Sequence, residues 1–410
     1  MNEPIGIKKV VLGVQFLFVA FGALVLVPIL TGLDPAIALF TAGAGTLLFQ
    51  LITKSMVPVF LGSSFAFIAP IQFGIKEFGI AATLGGLVSV GVVYLLFSIL
   101  IYKGGLRVIE RILPPVVTGP VIMVIGLSLA PVAVKMAKSF DASGNLYGKA
   151  LIISFISLLT AILVVMYGKR LLSLIPIISG IAVGYVVSML MGVVDFSPII
   201  NAKWFVIPWV EAIKNGSYAL PIFDLNATIY ILPVAIAPAI EHVGDVLAIS
   251  SVTGKNYLEK PGLHRTILGD GLASSFAAFL GGPHNTTYSE VTGAVALTKA
   301  TDVIYMRIAA ITAILLAFVG KLNAILKTIP VPVMGGIMIL LFGMIAAIGV
   351  GTLVRNKVDM AKSRNLVIVS IILVVGIGNM VISVGPVTLG GIGLAGLMGI
   401  LLNIILPEDK

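Results

Sequence analysis

The stretch Ile229–Ser251 reads IYILPVAIAPAIEHVGDVLAISS, an apolar run with Glu241 and Asp245 in its interior. Its length is that of a helix that crosses a bilayer. An ionised side chain near mid-membrane costs about 2.5–3.5 kcal/mol on insertion scales, so chains keep such groups where they bind polar substrates or move protons. Glu290 interrupts the apolar stretch that follows Gly281 in the same way. The sequence therefore predicts a membrane protein with a carboxylate site inside the membrane.

Composition supports this class. Hydrophobic residues make up 59% of the 410 residues and charged residues only 10%, whereas soluble domains contain about 25% charged residues. The chain has no cysteine, which excludes disulfides, thiolate nucleophiles and cysteine metal sites. Met1–Lys9 is short and runs directly into a full-length apolar span, which predicts a first transmembrane helix and not a cleaved signal.

Apolar runs predict an all-α polytopic membrane fold with fourteen transmembrane segments. Two of the segments, 56–74 and 284–298, are short and rich in Gly, Pro, Ser or Thr. The predicted segments are 9–31, 36–53, 56–74, 80–102, 114–136, 148–167, 171–192, 227–251, 264–280, 284–298, 303–320, 328–350, 364–383 and 388–406.

The distribution of positive charge predicts the orientation. An even number of spans places 18 of the 26 Lys and Arg residues on the side of the two termini. Positively charged loops stay in the cytoplasm, so we expect a cell-membrane protein with both termini cytoplasmic. The net charge of +9 follows from this topology. No basic run interleaved with aromatic residues indicates nucleic-acid binding.

The two halves of the chain resemble each other. Pro115–Gly126 matches Pro332–Gly343 at an offset of 217 residues, and the polar, broken piece Gly62–Pro70 matches Gly281–Glu290 at an offset of 219. The broken pieces would be segments 3 and 10, equivalent members of two seven-segment halves. Because seven is odd, the halves are inverted relative to each other. Inverted repeats with broken helices in matching positions are typical of secondary transporters, with the site between the breaks.

Glu241 and Asp245 are four residues apart and share a helix face, while His242 lies about 100° away. Two like charges in a low dielectric oppose each other, so at least one carboxyl is predicted to hold a proton at neutral pH and to act as a proton carrier. The alternative is that these groups only hydrogen-bond neighbouring helices.

Glu290 follows a break and stands near the start of a half-helix, where the helix dipole favours a negative charge. Backbone N–H groups of both half-helices, near Tyr288 and near Phe65, are free to bind substrate carbonyl groups. The aromatic rings of Phe65, Phe67 and Tyr288 are candidates for stacking on a planar ligand, and core packing is the alternative for them.

Four strings identify a family. Leu61–Pro70, Glu241–Asp245, Pro261–Arg265 and Asn285–Glu290 closely resemble motifs of the nucleobase–ascorbate transporter family, with the bacterial uracil permeases as the nearest branch. The resemblance covers essentially the whole chain. It implies fourteen spans in two inverted repeats, with short paired strands in spans 3 and 10.

The resemblance also implies a division into two domains, a homodimer formed through the gate domain, and proton-coupled uptake. Spans 1–4 and 8–11 would form a core domain, and spans 5–7 and 12–14 a gate domain. The corresponding residues are 1–104 and 227–320 for the core, and 105–226 and 321–410 for the gate.

Matching positions imply the binding site. Glu241 and Glu290 would hydrogen-bond the N–H and carbonyl groups of a nucleobase ring, the backbone at Phe65 and Ser289 would bind its carbonyl oxygens, and Ala23 would lie beside the site. Tyr288 is a further candidate for contact with the base.

Two positions depart from the family pattern. Uracil permeases often have His where this chain has Asp245, and Asp is usual there in purine-transporting relatives. Val291 replaces an Asn that usually follows the second glutamate. The proton-coupling residues are predicted to be Asp245, Glu241 and the adjacent His242.

The sequence thus predicts a proton-coupled nucleobase importer, with uracil as the expected substrate and no metal, cofactor or catalytic residues. Uracil offers two N–H donors and two carbonyl acceptors, and xanthine presents a similar edge, so xanthine or another oxopurine is an open alternative. An anion transporter or channel is a second alternative, since opposed half-helix N-termini hold anions. A membrane-embedded enzyme is a third, although Gly269-Asp270-Gly271 lacks the paired aspartate of an intramembrane protease.

Overall fold

The computed structural model describes residues 6–105, 111–138, 147–169, 172–384 and 387–407, and these are mostly helical. The strands are β1 (Leu61–Ser63), β2 (Asn285–Thr287), β3 (Val381–Val384) and β4 (Val387–Gly390). The helices are α1 (Ile7–Thr31), α2 (Pro35–Ile52), α3 (Ile68–Phe78), α4 (Ile80–Gly104), α5 (Pro115–Ala137), α6 (Tyr147–Tyr167), α7 (Pro176–Leu190), α8 (Ser197–Asn201), α9 (Pro208–Lys214), α10 (Leu225–Ile231), α11 (Ile236–Thr253), α12 (Leu263–Phe279), α13 (Ser289–Thr298), α14 (Val303–Ala317), α15 (Gly320–Lys327), α16 (Val331–Arg355), α17 (Ser363–Ile377) and α18 (Gly391–Ile405).

Within the described ranges, seven helical spans are long and apolar enough to cross a membrane. Four shorter apolar helices, α7, α14, α17 and α18, accompany them. Each of the fourteen predicted segments contains a helix, which confirms the helical, multi-pass class. Length and composition alone do not establish fourteen membrane crossings, so that number stays a prediction.

The two broken segments have the predicted form. Each contains a three-residue strand followed by a helix: β1 leads through a 3₁₀ turn at Phe65–Phe67 into α3, and β2 leads into α13. The strands pair antiparallel, with Gly62 opposite Thr286. Helices that follow antiparallel strands begin at opposite ends of the two-stranded ribbon. The N-termini of α3 and α13 therefore approach the ribbon from opposite directions and direct their dipoles toward it.

Helix packing repeats when segment n is exchanged with segment n + 7. The packed pair α4 and α12 corresponds to α14 and α2, and the pair α1 and α14 corresponds to α10 and α4. Likewise α6 packs on α16 as α17 packs on α5, and α6 packs on α7 as α17 packs on α18. The internal repeat inferred from two short matches therefore extends to the contacts between helices.

The exchange converts α5 and α16 into each other, so this pair corresponds to itself. The two helices are held together by close backbone contact. A Cβ atom added to Gly119 would lie 3.0 Å from the carbonyl oxygen of Gly349, and one added to Gly349 would lie 2.6 Å from that of Gly119. Small residues allow helices in a membrane to approach closely, where van der Waals contacts hold them.

Three features were not predicted. The segment expected at 364–383 ends as a helix at Ile377, and β3 and β4 form an antiparallel pair behind it, because Val381–Val384 and Val387–Gly390 are rich in β-branched residues that favour strands. The segment 227–251 is interrupted by a 3₁₀ turn at Leu232–Ala235, where Pro233 removes a backbone donor. The short helices α8 and α9 lie in the long connection before α10.

Candidate functional site

Asp245 lies at the junction between β2 and α13. Its carboxylate accepts a hydrogen bond of 2.7 Å from the Thr287 hydroxyl and another from the Ser289 hydroxyl. Asp245 is buried, and Thr287 is the last residue of β2 while Ser289 is the first of α13. The carboxylate therefore joins α11 to the start of the second half-helix.

Glu241, one turn before Asp245, is partly exposed, and Glu290 is exposed at the first turn of α13. The two carboxylates are close enough for the charge of Glu290 to act on Glu241. The structure thus brings together the two glutamates that were predicted from separate halves of the chain. Ser289 is exposed beside Glu290.

The exposed face continues along both helices. On α11, Gly244 and Ala248 are exposed at three and seven residues after Glu241. On α13, Gly293 and Leu297 are exposed at the same intervals after Glu290. Spacings of three and seven residues keep side chains on one helix face.

These two faces border an open space. Cβ atoms added to Gly244 or Gly293 would meet no atom within 4 Å. Exposed carboxylates directed at lipid would be costly, so the space is accessible to water. It extends from the glutamates toward the ends of α11 and α13, whereas the ribbon on the other side, Gly281–Tyr288, is fully buried.

Backbone donors face the same region. The first N–H groups of a helix have no acceptor within the helix, and at α13 these belong to Ser289, Glu290 and Val291. The 3₁₀ turn that begins at Phe65 is the counterpart in the other half. The site therefore combines carboxylate acceptors from two helices with N–H donors from two helix starts.

The predicted aromatic contacts differ in exposure. Phe65 is half-buried and lies edge-on to Phe342, 6.1 Å between ring centroids. Phe67 is fully buried and stacks on His284 at 4.2 Å, which fits the core-packing alternative for this ring.

Tyr288 and Ala23 are also buried. The Tyr288 hydroxyl donates a 2.9 Å hydrogen bond to the carbonyl oxygen of Ser63, so this side chain holds β1 against the start of α13. Ala23 packs in the same apolar cluster as Tyr288. Their contact with a substrate stays a prediction.

His242 points away from the open space toward Asp270. Its Nδ1 lies 3.4 Å from the Asp270 Oδ2 atom, and both side chains are completely buried. From the sequence alone, Asp270 stands only in a weak protease-like motif, Gly269-Asp270-Gly271. The signal that it deserved more weight was its position inside an apolar segment, where an ionisable residue is a functional hypothesis by default.

Metal binding has no support in the described part of the chain. No group of three or more His, Cys, Asp or Glu side chains there is arranged to hold a metal ion. The polar chemistry of the site consists of carboxylates, hydroxyls and backbone N–H groups.

A multi-pass helical protein with two broken spans and polar groups converging between them has the architecture of a membrane permease. Residues 7–385 match the Permease family of xanthine and uracil permeases. The chain belongs to this family, the nucleobase–ascorbate transporter family indicated by its motifs. Its members are transport proteins and not enzymes.

Individual proteins agree with this assignment. The chain is 53% identical to a probable uracil permease of Pasteurella multocida (strain Pm70), over 98% of this chain and 94% of the relative. It is 42% identical to the uracil permease of Bacillus subtilis (strain 168), over 100% and 95% of the two chains. The transmembrane domain of the cyanobacterial bicarbonate transporter BicA has the same fold, with a TM-score of 0.62 at 12% identity and 98% coverage of both chains.

Proposed function

We propose that this chain is a proton-coupled symporter that imports a nucleobase, with uracil as its substrate, by alternating access. The observation that supports this most strongly is the pair Glu241 and Glu290, which face one water-accessible space beside the starts of two half-helices. The relatives named uracil permeases, at 42% and 53% identity, support the choice of substrate.

The chemistry of uracil fits these groups. Its ring presents two N–H groups that donate hydrogen bonds to the carboxylates of Glu241 and Glu290. Its two carbonyl oxygens accept from the N–H groups at the helix starts near Phe65 and Ser289. Hydrogen bonds to charged groups contribute about 1.5–3 kcal/mol each, and the glycines at 244 and 293 leave room for a planar ring.

Under this proposal the structure corresponds to an inward-open state of the transport cycle. With cytoplasmic termini, the ends of α11 and α13 at Thr253 and Thr298 face the cytoplasm, and the open space leads toward them. On the opposite side the buried Asp34 at the start of α2 pairs with Lys327 of α15, 2.8 Å from oxygen to Nζ. Substrate released from this state would enter the cell.

The packing supports two moving bodies. α1, α2, α4, α10, α12 and α14 contact one another, as do α5, α6, α7, α16, α17 and α18. These groups correspond to the proposed core and gate domains. We propose that they move against each other around the site, and a homodimer formed through the gate remains part of the proposal.

Uptake into proteoliposomes tests this function. Radiolabelled uracil should accumulate inside vesicles when the outside is more acidic, and a protonophore should abolish the accumulation. Absence of uracil uptake with or without a gradient would overturn the proposed function. Uptake that equilibrates but never accumulates would overturn only the proton coupling.

Asp245 favours one second candidate, a permease for xanthine or another oxopurine, because Asp is usual at this position in purine-transporting relatives. Competition decides between the two. Unlabelled xanthine at tenfold excess should leave uracil uptake nearly unchanged if uracil is the substrate, whereas stronger inhibition by xanthine than by uracil would identify an oxopurine permease.

An anion transporter shares the fold, as the bicarbonate transporter shows. The carboxylates at the site oppose this reading, since they would repel an anion. Anion flux that persists in Glu241→Gln and Glu290→Gln, without nucleobase uptake, would restore it.

A further inference from the structure

A buried pair lies behind the proposed substrate site. His242 on α11 and Asp270 on α12 approach to 3.4 Å between Nδ1 and Oδ2, and neither side chain has any exposed surface. Among the described residues, both nitrogens of His242 and both carboxylate oxygens of Asp270 lack a hydrogen-bond partner. The two groups therefore depend on each other.

Burial restricts the charge that this pair can bear. An ionised carboxylate without a donor is strongly unfavourable in a low dielectric. One proton, placed on either His242 or Asp270, makes the pair electrically neutral overall. Loss of that proton leaves a net negative charge close to other carboxylates. The pair therefore retains or releases its proton according to the charge around it.

The surrounding titratable groups connect the pair with the site. On α11, Asp245 lies one turn beyond His242, and its charge acts on Asp270. On α4, the hydroxyl of the buried Tyr94 has no hydrogen-bond partner in the described part of the chain, and it lies within reach of the charges of both Asp270 and Glu241. From the side of β2 and α13, His284 is near Tyr94, 5.7 Å between ring centroids, and Glu290 acts on Glu241.

Contacts to the backbone also link the pair with the half-helix. The Ser274 hydroxyl lies 2.8 Å from the carbonyl oxygen of Asp270 and 2.7 Å from that of Asn285 in β2. Asp245 binds Thr287 and Ser289 at the other end of β2. If β2 moves when a substrate binds at Glu290, the surroundings of both Asp245 and Asp270 would therefore change.

We propose that the His242–Asp270 pair holds the transported proton, while Glu241 and Glu290 serve to bind the substrate. This inference rests on the proposed function as a proton-coupled symporter. It assigns the transported proton to His242 and Asp270, behind the site, and not to the substrate-binding glutamates. The pair takes up the proton in one state. In the other state the proton passes by way of the buried Asp245 to the open space beside Ser289. No covalent bond changes.

The alternative is that the contact between His242 and Asp270 only holds α11 against α12 and carries no proton. Two transport modes distinguish it from a proton site. Counterflow exchanges labelled for unlabelled uracil without net proton movement, whereas accumulation against a gradient needs proton release. A proton site affects only the second mode, and a structural tie affects both.

The test uses Asp270→Asn in proteoliposomes. The amide keeps the shape and remains neutral, so counterflow should stay within about threefold of wild type, and the uracil-induced thermal shift should remain. Accumulation driven by an acidic exterior should fall at least tenfold. Exposed Glu259 provides the matched control, and Glu259→Gln should leave both modes unchanged.

Three results would overturn the inference. Accumulation by Asp270→Asn at the wild-type level would exclude the pair as the proton site. If the variant loses both counterflow and accumulation and has a lower melting temperature, the pair serves the stability of the fold. If Asp270→Asn does not fold, His242→Gln replaces it, and it should likewise keep counterflow and lose accumulation. If neither variant folds, the pair serves the stability of the fold. A wild-type protein without gradient-driven uptake would instead contradict the proposed function.

Discussion

Glu241 and Glu290 differ from the buried Asp245 and Asp270 because they face open space and have no described side-chain partner there. Replacement of either by Gln keeps the shape and removes the charge that favours accepting from a ring N–H group. Each loss of about 1.5–3 kcal/mol corresponds to about a 10- to 150-fold weaker uracil affinity. Isothermal titration of purified Glu241→Gln and Glu290→Gln measures this directly.

Glu259→Gln is the control, since Glu259 is exposed outside the site, and it should bind uracil as tightly as wild type. Equal affinity in wild type and both site variants would show that the glutamates do not contact the base. Melting temperatures within a few degrees of wild type would exclude unfolding as the cause of weaker binding.

Individual residues show how far sequence reasoning reaches. Glu241 and Glu290 are predictable from the sequence, because a charged residue inside an apolar run can be recognised without the tertiary structure. The role of Asp245 was less visible, because Thr287 and Ser289 approach it only when α13 folds beside α11. The partner of His242 lies on another helix, so the pairing with Asp270 required the tertiary structure.

The tie between α11 and β2 can be tested at Thr287. Thr287→Val is nearly isosteric and removes the hydroxyl that donates to Asp245, so a buried carboxylate oxygen loses a donor. We expect a loss of about 1–3 kcal/mol in the free energy of unfolding. Thermal unfolding in detergent, with Thr287→Ser as the matched variant that keeps the hydroxyl, measures it. A Thr287→Val protein as stable as Thr287→Ser would contradict the tie.

Glycines on the helices that border the site should respond in opposite ways. Gly293 faces open space, so Gly293→Ala should not lower stability and should gain up to about 1 kcal/mol of helix propensity. A Cβ atom on Gly271 would lie 2.2 Å from the Cβ of Tyr94, so Gly271→Ala should cost about 1–3 kcal/mol. Melting temperatures of the two variants provide the comparison, and equal melting temperatures would refute this description of the open space.

Broken spans were predictable because Gly, Pro and polar residues inside an apolar run are a local signal, and β1 and β2 lie where that signal occurs. The hairpin of β3 and β4 was not predicted, because an apolar run of Val and Ile is compatible with either helix or strand until its neighbours are known. The two short matches predicted an inverted repeat, but the contacts between helices, including that of Gly119 with Gly349, required the structure.

The ion pair between Asp34 and Lys327 should control which side of the molecule is open. If it stabilises the inward-open state by about 1 kcal/mol, Lys327→Met should raise exposure to the outside about fivefold. Because the chain has no cysteine, Gly293→Cys provides a single thiol in the open space. In the proposed orientation Gly293 lies on the cytoplasmic side of the glutamates, so its rate of labelling by a membrane-impermeant maleimide added to inside-out vesicles reports the inward-open state. This rate should fall in Lys327→Met.

Lys214→Met is the matched control, since Lys214 is exposed and pairs with the exposed Glu211 at 3.6 Å. It should leave the labelling rate unchanged, and uracil at saturating concentration should protect the thiol. Labelling that is equally fast in the Lys327→Met and Lys214→Met backgrounds would show that the ion pair does not govern the outer side.

The most direct test of the central claim is a structure of this chain with uracil bound. We expect one planar ring in the space between α11 and α13, with its ring N–H groups within hydrogen-bond distance of the Glu241 and Glu290 carboxylates. A ring bound elsewhere, or held by neither glutamate, would contradict it.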